Sequence, residues 1–186
     1  FHSKLCSTAA EMDDLMSKYR INEALMAVYK LFWDEFASWY LEIIKPAYGR
    51  PIDSKTYSKT LDMFEQLLML LHPFMPFITE ELWAVTAEGG PARDGLLTMQ
   101  AWPSFEGLAN AKAEAEIGWV VDLISAVRSL RAEMNIPPAT LIPLVLVNAS
   151  EATEMRASLW IDTIKRLARL SDLSLAPQAP EGSVQL

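Results

Sequence analysis

The sequence predicts a mainly α-helical protein, a bundle of helices followed by a small α/β element. Three observations predict it. Apolar residues return every three or four positions in five successive stretches, which is the period of a helix face. Prolines punctuate those stretches at Pro46, Pro51, Pro73, Pro76 and Pro137-Pro138, where a missing N–H donor stops a helix or suits its first turn. Past residue 138 the pattern changes, because Leu141–Val147 is an apolar run of strand length. The expected organisation is a bundle over 1–137 and an α/β appendage over 138–186.

Taken in order, Leu5, Ala9, Met12, Met16 and Tyr19 form one face of a first helix. Asn22 offers an N-cap, with Glu23 in the first turn of the next. That helix carries a wide stripe of Leu25, Val28, Tyr29, Phe32, Phe36, Trp39, Tyr40 and Ile43, and Pro46 ends it. Tyr48-Gly49-Arg50-Pro51 reads as a turn. Asp53 caps a third helix whose buried face is Leu61, Phe64, Leu67, Leu68 and Leu71. Pro73 interrupts it, and Pro76 opens a fourth helix running to about Thr86. Glu88-Gly89-Gly90-Pro91 opens a loop that reaches Pro103. A fifth helix spans about Asn110 to Met134, with Ile117, Val120, Val121, Ile124, Val127 and Leu130 inward. After the strand at Leu141–Val147, Ser150 starts a helix with Leu159, Ile164, Leu167 and Leu170 on one face. Asp172–Ala176 reads as a second strand and Ser183–Leu186 as the beginning of a third. A parallel pair joined this way implies a right-handed crossover.

Composition narrows the function. The chain has 186 residues, 51% of them hydrophobic, so a disordered tail is excluded. A single cysteine, Cys6, excludes an internal disulfide framework, and with only His2 and His72 beside it a Cys/His zinc site is out of reach. No apolar run approaches the ~20 residues of a membrane span. A cytoplasmic setting fits the lone cysteine. The first residue is Phe1, and the expectation is a piece of a longer protein. Net charge is −8, so nucleic-acid binding requires a local basic face.

Catalytic patterns fail one after another. There is no Gly-rich phosphate loop and no Ser/His/Asp arrangement. A di-metal bundle needs Glu-x-x-His pairs, and Met69 stands three residues before His72. His72 reads as a helix-end residue, and Glu80-Glu81 as a solvated first turn. No catalytic or metal-ligating residue is assigned, and the chain by itself is not expected to be an enzyme. What remains is surface chemistry. Arg128 and Arg131 are one helical step apart and lie opposite much of the Val120, Ile124, Val127 stripe, with Met134 and Asn135 at the helix end. Guanidinium groups and a terminal amide suit phosphates and base edges. Lys55 and Lys59 form a similar pair. Lys165, Arg166 and Arg169 are the densest basic cluster, suited to an RNA backbone or to keeping a helix soluble. Trp33 falls at the edge of its stripe, where it can meet another domain.

The residue strings go further than the periodicity. KYRINEALMAVYKLFWDEFASWYLEIIKP (Lys18–Pro46) resembles a helix signature of valyl-tRNA synthetases. LLMLLHPFMPFITEELW (Leu67–Trp83) resembles a motif of the class Ia anticodon-binding domain, shared by isoleucyl, leucyl and valyl relatives. VRSLRAEMNIPPATLIPLVL (Val127–Leu146) and TIKRLARLSDLSL (Thr163–Leu175) are similar to the valyl family in particular. The resemblance covers nearly the whole chain. It implies the class Ia anticodon-binding helical bundle with its small following α/β element, ahead of a coiled-coil arm. It implies a parent enzyme that joins valine to tRNA(Val) with ATP and Mg in a catalytic domain that this chain does not include. The nucleotide-binding and editing domains belong elsewhere in such an enzyme, so no cofactor is expected here. On this reading Arg128, Arg131, Met134, Asn135, Lys55 and Lys59 contact RNA, while His72, Pro73, Pro76 and Trp83 set a bend between helices. The expected partners are tRNA(Val) and the parent's catalytic domain, with the piece itself monomeric and no membrane. The competing readings are a helical protein-interaction module and the equivalent domain of an isoleucyl enzyme.

Overall fold

A computed structural model describes residues 1–88, 93 and 95–185. Gly89-Gly90-Pro91 of the expected loop, and Leu186 of the expected last strand, lie outside them. By compactness the chain divides into two units, Phe1–Asn110 and Ala111–Leu186. The sequence boundary after residue 137 is placed differently, because the long helix Ala111–Glu133 packs on the elements that follow it.

The first unit begins with α1 (His2–Ser17), which buries Leu5, Ala9, Met12 and Leu15. Tyr19 does not continue that face. It stands past the helix end with φ 59° and is 89% exposed. Its N–H donates to the Met16 carbonyl, and the Arg20 N–H reaches back to Leu15, the double bond of a left-handed helix stop. α2 (Ile21–Lys30) follows at once, with Arg20 and not Asn22 at the N-cap position and no side-chain cap. Arg20 also forms an ion pair with Glu23. The hydrogen bond between the two side chains shifts both groups, holding the Arg20 guanidinium above its ordinary value and the Glu23 carboxyl below its own.

From Leu31 to Tyr40 the helix widens into π-type turns with i→i+5 bonds. The Leu41 N–H reaches the Phe36 carbonyl, and the Ser38 hydroxyl donates to Trp33 O at 2.8 Å. The widening changes which residues face inward. Leu31 and Phe36, five apart, are the buried pair, whereas α-helical spacing left Leu31 off the stripe. The normal turn resumes in α3 (Leu41–Ile44), and Lys45 adopts ψ 121° ahead of Pro46. Gly49 turns the chain at φ 77°. Asp53 then caps α4 (Ser54–Leu71), its carboxylate accepting the Thr56 N–H at 2.9 Å.

α4 is buried on two sides. Met63, Leu67 and Leu70 join the main core with α1, α2 and Phe105, while Leu68 joins Trp83 and Leu97 in a smaller cluster. Leu61, Phe64 and Leu71 are half-buried. An aromatic group of Phe1, Phe32, Phe36, Tyr40 and Phe64 closes the main core, with Phe36 centred 5.4 Å from Phe1 and 6.1 Å from Phe64. Pro76 begins α5 (Pro76–Thr86). The bend between α4 and α5 is fixed by Thr79, 1% exposed, whose hydroxyl donates to Met75 O at 2.8 Å. That leaves its oxygen to accept from His72 Nδ1 at 2.8 Å. Glu80 is more than a solvated residue: its carboxylate accepts the backbone N–H of Leu97 at 2.7 Å and pins the loop beneath α5.

The second unit is built on α6 (Ala111–Glu133), whose Val120, Ile124 and Val127 are buried. β1 (Ile142–Val147) and β2 (Leu170–Ala176) form a parallel pair, with Leu144 opposite Leu173 and Leu146 opposite Leu175. The register slips between Ile142 and Pro143, where proline has no N–H for the ladder. The expected single helix between the strands is two. α7 (Glu151–Leu159) is capped by Ser150, and α8 (Ile161–Ala168) follows a break at Trp160. The break turns Leu159 out, 69% exposed, and Leu170 belongs to β2. Among the described residues, 183–185 form no strand.

Candidate nucleic-acid interface

The two lysines proposed from sequence lie on α4 in the first unit. Lys55 and Lys59 are exposed, one turn apart in the first half of α4. His2 is held below its ordinary pKa, first by burial, with the charge of Lys59 adding to it. Tyr40 completes this side, its hydroxyl 3.0 Å from Thr60 Oγ1, which in turn donates to Thr56 O.

The other four residues belong to the second unit, and the structure separates their roles. Arg128 is exposed, with its Nε donating to the Leu167 carbonyl at 3.0 Å. Arg131 is not on the surface. It is 6% exposed and donates to three backbone carbonyls: Thr140 at 2.7 Å, Pro137 at 3.0 Å and Arg169 at 3.3 Å. Continuing 120, 124, 127 by four gives 131, so Arg131 falls on the buried face and not opposite it. A buried guanidinium is stable when its donors are matched, and here it braces the turn after α6 against the start of β2. Arg131 therefore presents no phosphate-binding group in this conformation.

Asn135 has a structural task as well as an exposed side chain. It takes φ 52°, and its N–H donates to Ala132 O at 3.1 Å while Ile136 N–H donates to Arg131 O at 2.9 Å. Those two bonds end α6, and asparagine tolerates the left-handed position better than most residues. Met134 is half-exposed and lines an apolar groove of about 1010 Å³ with Leu130, Ile136 and residues of β1.

Sequence reasoning missed a cluster under α5. Arg93 stacks on the Trp83 ring at 3.7 Å, donates to Thr86 Oγ1 at 2.8 Å and pairs with Glu65. Trp83 is buried, in keeping with a structural role for the motif. No spacing rule links residues 65, 83 and 93, so only the fold brings them together. Trp33, at the edge of its stripe, is 55% exposed and stacks in parallel on Tyr29 at 6.2 Å. Among the described residues no group of three or more His, Cys, Asp or Glu side chains could hold a metal ion, and no helix is long and apolar enough to cross a membrane.

The family model for the anticodon-binding domain of tRNA ligases matches residues 1–146. The chain belongs to that family. The match runs through the strings Lys18–Pro46, Leu67–Trp83 and Val127–Leu146, the whole first unit and α6, and ends in β1. Individual relatives agree. A valine–tRNA ligase of Nitrobacter winogradskyi is 46% identical over 96% of this chain and 22% of its own length. One from Mesorhizobium japonicum is 45% identical over 99% of the chain and 20% of its length. One from Phocaeicola vulgatus is 44% identical over 98% of the chain. The chain thus spans about a fifth of the length of these curated relatives. As an anticodon-binding domain it has a helical frame that carries side chains on rigid elements, which suits the reading of an RNA loop with splayed bases.

Proposed function

We propose that this chain is the anticodon-recognition part of a valine–tRNA ligase and holds tRNA(Val) for aminoacylation elsewhere in the parent enzyme. The observation that carries this reading is the likeness to valine–tRNA ligases across nearly the whole chain, together with the family match over residues 1–146. The same likeness favours the valyl over the isoleucyl reading. The parent, a cytoplasmic enzyme on this proposal, uses ATP and Mg in its catalytic domain. The chain contributes binding free energy for the correct tRNA and no bond-making chemistry. Lys55, Lys59 and Arg128 contact phosphates, and Asn135 offers its amide to a base with Met134 beside it. Arg131 acts behind them by holding the turn that presents Met134 and Asn135. The acidic total is compatible with this, because backbone contacts depend on local charge.

The test is binding of this chain to valine tRNA transcripts, unaltered and with changed anticodon bases, at two salt concentrations. Loss of binding when the anticodon changes supports recognition. Equal binding to every transcript that vanishes with salt reduces the domain to backbone attraction. A second reading, docking against another domain of the parent, is favoured by the exposed Tyr29–Trp33 stack, and salt-insensitive binding to a catalytic fragment supports it.

A further inference from the structure

The chain between α3 and α4 makes a tight turn. Pro46 and Pro51 bracket it and fix φ at both ends. The Arg50 N–H donates to the Ala47 carbonyl at 3.0 Å, with Tyr48 and Gly49 between them. Gly49 takes φ 77°, the left-handed value that the third position of a type II turn requires. Tyr48 stands at the tip and is 107% exposed, more than any other large apolar or aromatic side chain among the described residues. Its ring stacks on no other and its hydroxyl makes no hydrogen bond among those residues. A ring wholly in water adds nothing to the burial that stabilises the fold, and both of its faces stay open.

The setting is cationic. Arg50 on the same turn, and Lys55 and Lys59 in the first half of α4, are exposed. Among the described residues none of the three has an ion pair or a side-chain hydrogen bond. Three carboxylates share this stretch of chain. Glu42 on α3 is held by Lys45 at 3.0 Å, and Asp53 accepts the Thr56 N–H at 2.9 Å. Asp62 stands one turn beyond Lys59 on α4. With Lys45, four cations meet three carboxylates between residues 42 and 62, a positive balance in a chain of net charge −8. From the neighbouring elements, Lys4 and Glu35 pair with each other at 3.3 Å, and His2 brings no negative charge. The other two nearly bare rings lack this setting. Tyr19 lies between Lys18 and Arg20, which are paired with Asp14 and Glu23, and Phe77 has Glu80 and Glu81 one turn on in α5.

From this we infer that Tyr48 and Arg50 form a contact for an unpaired nucleotide of RNA. The Tyr48 ring stacks on the base and Arg50 takes the adjoining phosphate, while Lys55 and Lys59 continue the positive charge along α4. Unpaired bases are held on aromatic faces beside cations that follow the backbone, and a guanidinium fork matches phosphate oxygens. The inference rests on the tRNA-binding reading above and adds a nucleotide contact to it. Every base has a face to stack, so the contact positions the RNA and does not select its sequence.

The test measures binding to the chain over a salt series. The probes are valine tRNA transcripts, unaltered and with changed anticodon bases, and a fully paired RNA duplex of equal length. The proteins are wild type and the Y48A, Y48F and R50Q variants. Y48A is expected to weaken every transcript about tenfold without changing the salt slope, since a stacked ring carries no charge. It should leave the duplex unaffected, because paired bases offer no free face. Y48F keeps the ring and should bind as wild type does. R50Q should lower the slope of log affinity against log salt by roughly 0.7. Transcript binding by Y48A equal to wild type overturns the contact. Equal weakening of transcripts and duplex, or Y48F as weak as Y48A, shows that stacking is not the cause and overturns it too. An unchanged slope in R50Q overturns the assignment of Arg50. In each of these cases a wild-type preference for the unaltered anticodon leaves the tRNA-binding reading standing. No binding of any transcript by wild type at low salt overturns both.

Discussion

The first unit closes around apolar surface. Leu5, Leu67, Leu70 and Val28 are fully buried, and five aromatic rings seal one side of them. The second unit buries Val120, Ile124, Val127, Ile164, Leu167, Leu170 and Leu173, and at the end of α6 a buried arginine takes the place of an apolar residue. One region is held by area removed from water, the other partly by hydrogen bonds aimed at named carbonyls. The difference teaches where each is vulnerable: the first to a change of volume, the second to a change of donor.

The largest effect should come from Leu67→Ala, which removes a fully buried side chain between α1, α2 and α4 and is expected to cost about 2–5 kcal/mol. Chemical denaturation followed by tryptophan fluorescence measures it. Next, Arg131→Met keeps bulk but strands three carbonyls, at a cost of about 3 kcal/mol. Hydrogen exchange should show the loss in β1, β2 and the end of α6. Equal loss across α1 and α4 would break the contrast between the units. Thr79→Val leaves His72 Nδ1 without its acceptor and should cost about 1–2 kcal/mol, read as a lower melting temperature. Ser150→Ala removes the cap of α7 and should cost about 1 kcal/mol, with faster exchange at Thr153.

The smallest effect is a pH dependence at Asp53. Hydrogen bonds donated by Thr56, first by its side chain and then by its N–H, hold the Asp53 carboxyl below its ordinary value. A carboxylate depressed on folding contributes stability that is present above its unfolded pKa and lost as pH falls through the folded one. The start of α4 should therefore loosen below the ordinary carboxylate range, and Asp53→Asn should flatten that part of the profile. A carboxyl titration curve from NMR at Asp53 checks the direction.

Much of the frame was legible in the residues. Asp53, Ser150, Pro46, Pro76 and the strands near 142 and 172 act locally, so each cap or stop can be read from a few neighbours. The errors share a cause. Asn22 loses the cap because the chain turns at Tyr19 and Arg20, one step earlier. The stripe of α2 misses Leu31 because the helix widens there, which a 3.6-residue period does not anticipate. The helix after Ser150 breaks at Trp160 although its apolar spacing runs on. Arg131 was partly legible, since its number continues the buried series, but its charge argued for the surface.

By itself the sequence determined the helical class, the caps and proline stops, and the strings that place the chain among anticodon-binding domains. Those depend on local rules, or on residue order, and need no third dimension. Tertiary structure decided which arginine is a surface group and which a brace. It decided that Arg93 covers Trp83, and that Arg128 and Arg131 reach the Leu167 and Arg169 carbonyls. The reason is physical: a charged side chain is buried or exposed according to the partners that distant segments bring to it, and no spacing along one helix records them.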